Sequence, residues 1–301
     1  MKILLTGSNG QVGWELARVL PVLGELVALE RRQLDLTDTA NLRRVIREVR
    51  PQVIVNAAAY TAVDQAESEP DIARRVNVDA PQVMAEELLR VPGLLVHYST
   101  DYVFDGTKPG AYTEDDVPNP INAYGASKLA GELAIQRTGV NHAIFRTSWI
   151  YATRGRNFLL TMLRLFEQRP ELRIVDDQIG APTWSRWIAH QTVAAIRARG
   201  RHATEESAAG WNGVFHMTAG GATSWYGFAS AIHRSCYPEG PDTGPRLIPI
   251  STKDYPTPAR RPLNSMLSNA KLESRYGLAQ IDWAASLRDC MSELAATSPQ
   301  R

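Results

Sequence analysis

The chain has only two cysteines, Cys236 and Cys290, and they form no CxxC pair. That argues against a disulfide framework or a zinc site, and it fits a reducing compartment. No apolar stretch approaches the ~20 residues of a membrane span. The opening run Ile3-Leu4-Leu5 stops before Gly7 and is too short for a secretory leader. No charge sign dominates: 33 basic residues face 32 acidic ones. This balance argues against a nucleic-acid or membrane-surface partner. The arginine pairs Arg31-Arg32, Arg43-Arg44 and Arg260-Arg261 are short, and as bare charges they fit solvated faces. No repeat and no low-complexity tract occurs. The expectation is a cytoplasmic chain, monomer or homodimer, with neither nucleic acid nor membrane as partner.

What is present, in the first half, is alternation. Short apolar runs at Lys2–Thr6, Leu26–Leu29, Val53–Val55, Leu94–Tyr98 and Ala143–Arg146 read as buried strands. Between them lie amphipathic stretches at Val12–Leu20, Thr39–Val49, Ile72–Leu89 and Ala123–Arg137, with apolar residues at helical spacing. Strands alternating with helices imply right-handed crossovers and a parallel sheet covered on both faces: an α/β, doubly wound fold. The second half changes texture. Proline and glycine thicken around Gly180–Thr183 and Tyr237–Pro262, and six of the seven tryptophans lie at or beyond Trp149. A smaller, loop-rich C-terminal lobe is expected there. Arg197–Trp211 reads as a mobile surface loop, Trp283–Leu294 as the last helix and Thr297–Arg301 as a frayed end.

Gly7-Ser8-Asn9-Gly10-Gln11-Val12-Gly13 follows the first strand and opens the first helix. A bare GxxGxxG is a weak signal. Its setting between strand and amphipathic helix makes it strong. The glycines allow a tight turn and let backbone approach a pyrophosphate, and the helix N-terminus offers free N–H groups. This is the dinucleotide signature of a Rossmann-like fold. Residues 1–148 are thus expected to bind NAD(P), and 149–301 to form mainly a substrate lobe that returns segments to the first. Glu30 after the second strand suits the ribose 2′-hydroxyl of NAD, whereas Arg31 and Arg32 suit the 2′-phosphate of NADP. Both possibilities stay open. Asp35-Leu36 falls near the adenine if the next turn folds back. Ala57-Ala58-Ala59 fits either close approach to a cofactor or close strand–helix packing.

Tyr124 and Lys128 are four residues apart and share a helix face. A free tyrosine, with pKa ~10, is a poor acid–base group at neutral pH. A nearby ammonium favours the phenolate and lowers that value. Such a pair can manage a proton while a nicotinamide manages a hydride. A Tyr-x-x-x-Lys pair is common by chance, but here it follows a fourth strand and a nucleotide fingerprint. Ser99-Thr100-Asp101 ends that strand at the carboxyl edge, where ligands bind in such sheets. One hydroxyl there can meet a substrate oxygen; a turn bonded to its own backbone is the bland alternative. In the second half, Gln178, Thr183, Arg260 and Arg261 sit in proline- and glycine-rich segments, and arginines there could clamp a diphosphate. Arg261 is the favoured one. Trp149 and Phe104 could stack on a base or a sugar face, or be core aromatics.

With these residues in place, the sequence resembles the extended short-chain dehydrogenase/reductase family. Within it, the likeness is to the dTDP-4-dehydrorhamnose reductases, and it runs over nearly the whole chain. The matching segments are LLTGSNGQVGWEL from Leu4, VIVNAAAYTAVDQAESEP from Val53, HYSTDYVFDG from His97, AYGASKLAGE from Ala123, FRTSWIYA from Phe145, DDQIGAPT from Asp176 and YPTPARRPLNS from Tyr255. The resemblance implies that Gly10, Gln11 and Val12 contact the cofactor pyrophosphate, with Gly7 and Gly13 completing the turn. It implies that Glu30, Asp35 and Leu36 surround the adenosine, and that Ala59, Tyr60, Thr61 and Tyr98 continue the cleft. Tyr124 would be the proton donor, Lys128 would bind the nicotinamide ribose, and Thr100 would be the third catalytic member. Thr100 and Asp101 would meet the sugar, and Trp149 would pack against the substrate. NADPH or NADH is the implied cofactor, and the 4-keto group of a dTDP-linked 6-deoxyhexulose the implied target. Some relatives hold Mg²⁺ between subunits through acidic residues, one matching Glu15. Trp184-Ser185-Arg186 supplies no carboxylate pair, so no metal ligand is assigned. Two other readings fit the same frame: a sugar-nucleotide epimerase or dehydratase, and a non-catalytic regulatory relative.

Overall fold

A computed structural model describes residues 1–91, 93–201, 212–240 and 243–297. Its first half runs β1 (Lys2–Thr6), α1 (Gln11–Val19), β2 (Glu25–Leu29), α2 (Thr39–Val49), β3 (Val53–Asn56), α3 (Val63–Ala66), α4 (Pro70–Arg74), a π-helical turn (Arg75–Asp79), α5 (Ala80–Leu88), β4 (Leu94–Thr100), a 3-10 turn (Asp101–Val103), α6 (Ala123–Thr138) and β5 (Asn141–Thr147). The second half holds β6 (Ile150–Tyr151), α7 (Phe158–Gln168), β7 (Glu171–Val175), β8 (Ile179–Gly180), β9 (Thr183–Trp184), α8 (Ser185–Arg201), β10 (Gly213–His216), β11 (Thr223–Ser224), α9 (Trp225–Cys236), β12 (Arg246–Ile250), α10 (Ala270–Tyr276) and α11 (Trp283–Thr297).

Six strands form the parallel central sheet, in the order β10-β5-β4-β3-β1-β2. The chain starts one strand in from the β2 edge and winds outward both ways, which makes β1/β3 the topological switch point. Side chains alternate across the pleat. Ile3 and Leu5 pack with Leu16, Leu20, Ile188 and Tyr276 on one face. Leu4 packs with Leu42, Ile46, Met84 and Ile135 on the other. Burial on both faces is why these strands read as continuous apolar runs. Helix ends are marked by the sequence. Asp38 caps α2 by accepting from Asn41 N, at 2.9 Å, and α6 ends on Gly139 at φ 75°.

The second half builds a separate apolar cluster from Tyr151, Leu159, Phe166, Phe228 and Leu287. It also returns to the sheet: β10 pairs with β5, and α8 packs against α1. Arg197–Arg201 continue α8, so the loop expected from Arg197 does not begin there. Its remainder, residues 202–211, lies outside the described residues, as do 298–301 of the expected frayed end. Among the described residues, no helix is long and apolar enough to cross a membrane.

Candidate active site

The loop after β1 is shaped by close contact. Gly7 sits at φ +72°, and a Cβ there would lie 2.8 Å from Ala58 N. A Cβ on Gly13 would lie 2.0 Å from Gly7 O. Neither position admits a side chain. Gly10 meets only Gly7 O, at 3.3 Å. It is the N-cap of α1 and brings no side-chain cap, so the helix N–H groups there stay available to an anion. Beside this turn lies a cavity of about 520 Å³. Its walls include Gly7, Gly10, Gln11, Val12, Asp35, Leu36, Ala59, Tyr60 and Thr61. These nine expected cofactor residues converge on one site. The glycine turn, the uncapped helix end and the elongated wall from β1 to β3 fit a dinucleotide.

Five expected cofactor residues do not line that cavity: Gly13, Glu30, Tyr98, Tyr124 and Lys128. Arg31 lines the cavity and Glu30 does not, because the chain turns at Glu30, whose carbonyl accepts from Gln33 N and Leu34 N. Gly13 lies behind the turn and supports it. Tyr98 belongs to the core: its hydroxyl bonds Thr192 Oγ1 at 2.7 Å, and its ring leans on Phe145. As the fifth residue of β4, its side chain leaves the sheet on the α1/α8 face, away from the α6 face that carries His97. Its side chain is therefore not a wall of the cleft.

The expected catalytic residues come from β4, which Thr100 ends, and from α6, which carries Tyr124 and Lys128. Asn122 caps α6 by accepting from Gly125 N at 2.7 Å, and its amide donates to Arg260 O at 2.9 Å. One residue thus starts the helix and ties it to the second half. Gly125 lets α6 lie on the 3-10 turn: a Cβ would sit 2.1 Å from Tyr102 O. This places Tyr124 in hydrogen-bond contact with Thr100 and edge-on to Tyr102, ring centroids 5.9 Å apart. Thr100 Oγ1 donates to Asp101 Oδ1 at 2.9 Å. Burial pushes the Tyr124 phenol above its ordinary value; Thr100 pulls it down and the Asp101 charge pushes it up. Asp101 is itself raised to about 7, chiefly by burial. The lysine effect expected from the sequence is not what sets the phenol: Lys128 is 1% exposed and reaches His97 Nε2 at 3.1 Å. Burial lowers Lys128 to about 8.

Asn77 escaped the sequence reading. Its Oδ1 accepts from Tyr60 N at 2.9 Å, and its Nδ2 donates to Tyr60 O and to Ser127 Oγ. It joins the cavity wall to α6 beside Lys128. Its π-helical turn is a feature found often at functional sites, and no sequence pattern announces it.

Trp149 adopts φ +46°, a conformation worth about 1–3 kcal/mol of strain in a bulky residue. It stacks on Trp225 at 3.6 Å, and its Nε1 donates to Ser265 Oγ at 3.2 Å, a hydroxyl that in turn donates to Ile179 O at 3.3 Å. Arg261 is held by Asp64 at 2.8 Å and by Ala259 O at 2.7 Å, so part of its fork is spent within the protein. Phe104 is fully buried and stacks on Tyr112. Thr183 is buried and bonds Ala181 O, while Gln178 joins Trp225 to Thr252. These three are structural.

Glu15 is committed to arginines rather than open to a metal. Its buried carboxylate faces Arg186 at 3.2 Å and Arg18 at 3.6 Å, and Arg186 also donates to Glu293 at 2.6 Å. Arg186 and Arg18 together already offset the two carboxylates, and a divalent cation does not fit. Among the described residues, no cluster of three or more His, Cys, Asp or Glu could hold a metal.

Fold and site together define an oxidoreductase of the extended short-chain dehydrogenase/reductase type. The chain belongs to the family of the RmlD substrate binding domain, whose model matches residues 1–296. It is 53% identical over 300 residues to the dTDP-4-dehydrorhamnose reductase of Burkholderia thailandensis, covering 98% of this chain and 99% of that one. The Escherichia coli dTDP-4-dehydrorhamnose reductase is 41% identical, with 99% of each chain covered. A crystal structure of the Bacillus anthracis dTDP-4-dehydrorhamnose reductase in complex with NADP superposes with a TM-score of 0.86 at 34% identity, over 97% of this chain and 99% of that one.

Proposed function

We propose that the chain reduces the 4-keto group of dTDP-4-dehydro-L-rhamnose to dTDP-L-rhamnose with NADPH or NADH. The observation that carries this is the glycine-turned cavity beside α1, in a chain whose α6 carries Tyr124 and Lys128 one turn apart. NAD(P)H, when bound, supplies the hydride to the carbonyl carbon. Gly10, Gln11 and the α1 N-terminus hold its pyrophosphate, Arg31 faces its ribose end, and Lys128 serves the nicotinamide ribose. Tyr124 gives its phenolic proton to the new alkoxide. The raised phenol suits this direction, because a reductase needs the protonated form and an alkoxide is a far stronger base. Thr100 orients the carbonyl, Asp101 meets a sugar hydroxyl, Trp149 offers a packing face, and Arg261 keeps free N–H donors for a diphosphate. Residues 1–148 act as the cofactor unit. Residues 149–301 act mainly as the substrate lobe, with α8 and β10 returned to the first. A cytoplasmic location suits a family of nucleotide-sugar biosynthesis.

The test is oxidation of NADPH and of NADH with the dTDP-4-keto-6-deoxy-L-sugar, using the UDP analogue as control. Stoichiometric consumption, with a cofactor that washes off the protein, is expected. A tightly retained cofactor with no net consumption would instead identify an epimerase. Silence with every keto-sugar nucleotide would leave a regulatory relative.

A further inference from the structure

The segment 259–265 of the second half runs between the helix that carries Tyr124 and the indole of Trp149. At one end Asn122, the cap of α6, donates to Arg260 O at 2.9 Å. At the other, Ser265 Oγ accepts from Trp149 Nε1 at 3.2 Å. Of the two adjacent arginines in this segment, Arg260 is exposed and Arg261 half-buried. Only Arg261 is turned into the fold.

A carboxylate from the first half holds it there. Asp64 Oδ2 accepts from Arg261 Nη2 at 2.8 Å, and Asp64 Oδ1 accepts from Ala259 N at 3.1 Å. One side chain thus grips the segment by its backbone and by its guanidinium. Arg261 Nη1 folds back on Ala259 O at 2.7 Å. Two of the five guanidinium donors are so held; the others have no hydrogen-bond partner among the described residues. Burial works against the Asp64 charge, but the Arg261 guanidinium and the Ala259 N–H outweigh it and hold the carboxyl below its ordinary value.

Asp64 is itself well anchored. It lies on α3, where Ala66 is fully buried and Gln65 lines the nucleotide cavity. Glu67, just past α3, accepts from Ala123 N at the start of α6 at 2.8 Å. Stability is not what the pair supplies. The Arg261 side chain is 17% exposed and that of Asp64 42%, and ion pairs so open to water contribute little to folding. The pair fixes a direction instead. An arginine already held in place gives up less freedom when a ligand arrives.

We propose that Asp64 is a positioning residue for the sugar nucleotide: it holds the Arg261 guanidinium with its free donors set for the diphosphate. The proposal rests on the diphosphate role given to Arg261. Substrate and transition state carry the same diphosphate, so loss of the carboxylate should raise KM and leave kcat.

The experiment compares Asp64→Asn, Arg261→Ala and the double variant with the unaltered chain. The readouts are steady-state kinetics with the dTDP-4-keto-6-deoxy-L-sugar and calorimetry with dTDP, which needs no turnover. Asparagine keeps an acceptor for Ala259 N–H and presents its NH₂ to the guanidinium, so the segment stays anchored while the grip on Arg261 is lost. Asp64→Asn should raise KM and the dTDP Kd ~10-fold, with kcat, NADPH affinity and the melting midpoint unchanged. In the Arg261→Ala background it should add nothing, because the group it acts through is gone. Wild-type affinity in Asp64→Asn, full additivity of the two losses, or a loss that falls on kcat or on NADPH affinity would overturn the proposal. Unchanged dTDP binding in Arg261→Ala alone would instead overturn the diphosphate reading of Arg261, and the proposal with it.

Discussion

The loop after β1 and the wall formed by β4 and α6 are made of different material. The first is backbone and small side chains: Gly7, Gly10 and Ala57-Ala58-Ala59, shaped by contacts that exclude a Cβ. The second is polar side chains from two separate segments: His97, Thr100 and Asp101 at and just past the end of β4, and Tyr124 and Lys128 on α6. A phosphate needs aligned N–H groups, which a turn can supply alone. A proton transfer needs groups held out of water with defined partners, and only tertiary structure supplies that.

The difference predicts how each side breaks. The largest expected effect is on the wall. Asp101 is raised to about 7 by burial, so its folded pKa lies above its unfolded value. The penalty for ionising it is absent below the unfolded pKa near 4 and grows as pH rises to about 7. Asp101→Asn should therefore raise stability at pH 8 by up to about 4 kcal/mol, and the gain should vanish near pH 4. Denaturant melts at the two pH values check this. Next comes the turn. Gly13→Ala presses a methyl on Gly7 O and should cost about 1–3 kcal/mol of stability, with cofactor affinity falling in step. Gly180→Ala brings a Cβ to 2.5 Å from Trp149 Cε2. It should raise the KM of the sugar nucleotide ~10-fold, about 1.4 kcal/mol, and leave cofactor affinity alone. The smallest effect is at Arg31→Ala, which should weaken NADPH several-fold, about 1 kcal/mol, and spare NADH. Equal loss for both cofactors would remove the 2′-phosphate role from Arg31.

The same difference explains what could be read from sequence. The turn was legible because glycine spacing is local and each glycine answers to a contact: Gly7 to Ala58, Gly13 to Gly7. The strands were legible because both sheet faces are buried. Tyr124 and Lys128 were legible as a pair, since four residues on a helix fix a common face. Their partners were not. The phenol answers to Thr100 and Asp101, and the lysine to His97, through register between strands that no window of sequence contains. Tyr98 went to the core because β4 alternates faces beside Thr192. Arg31 replaced Glu30 because a turn begins at Glu30. Asn77 acts from a π-helical turn, which has no pattern to read.

The central claim is that Tyr124 delivers the proton from a wall separate from the cofactor turn. Turnover of Tyr124→Phe, measured with its affinity for NADPH, tests it most directly. Turnover falling ~10²–10⁴-fold at unchanged affinity is predicted. Turnover near wild type, with cofactor bound normally, would contradict it.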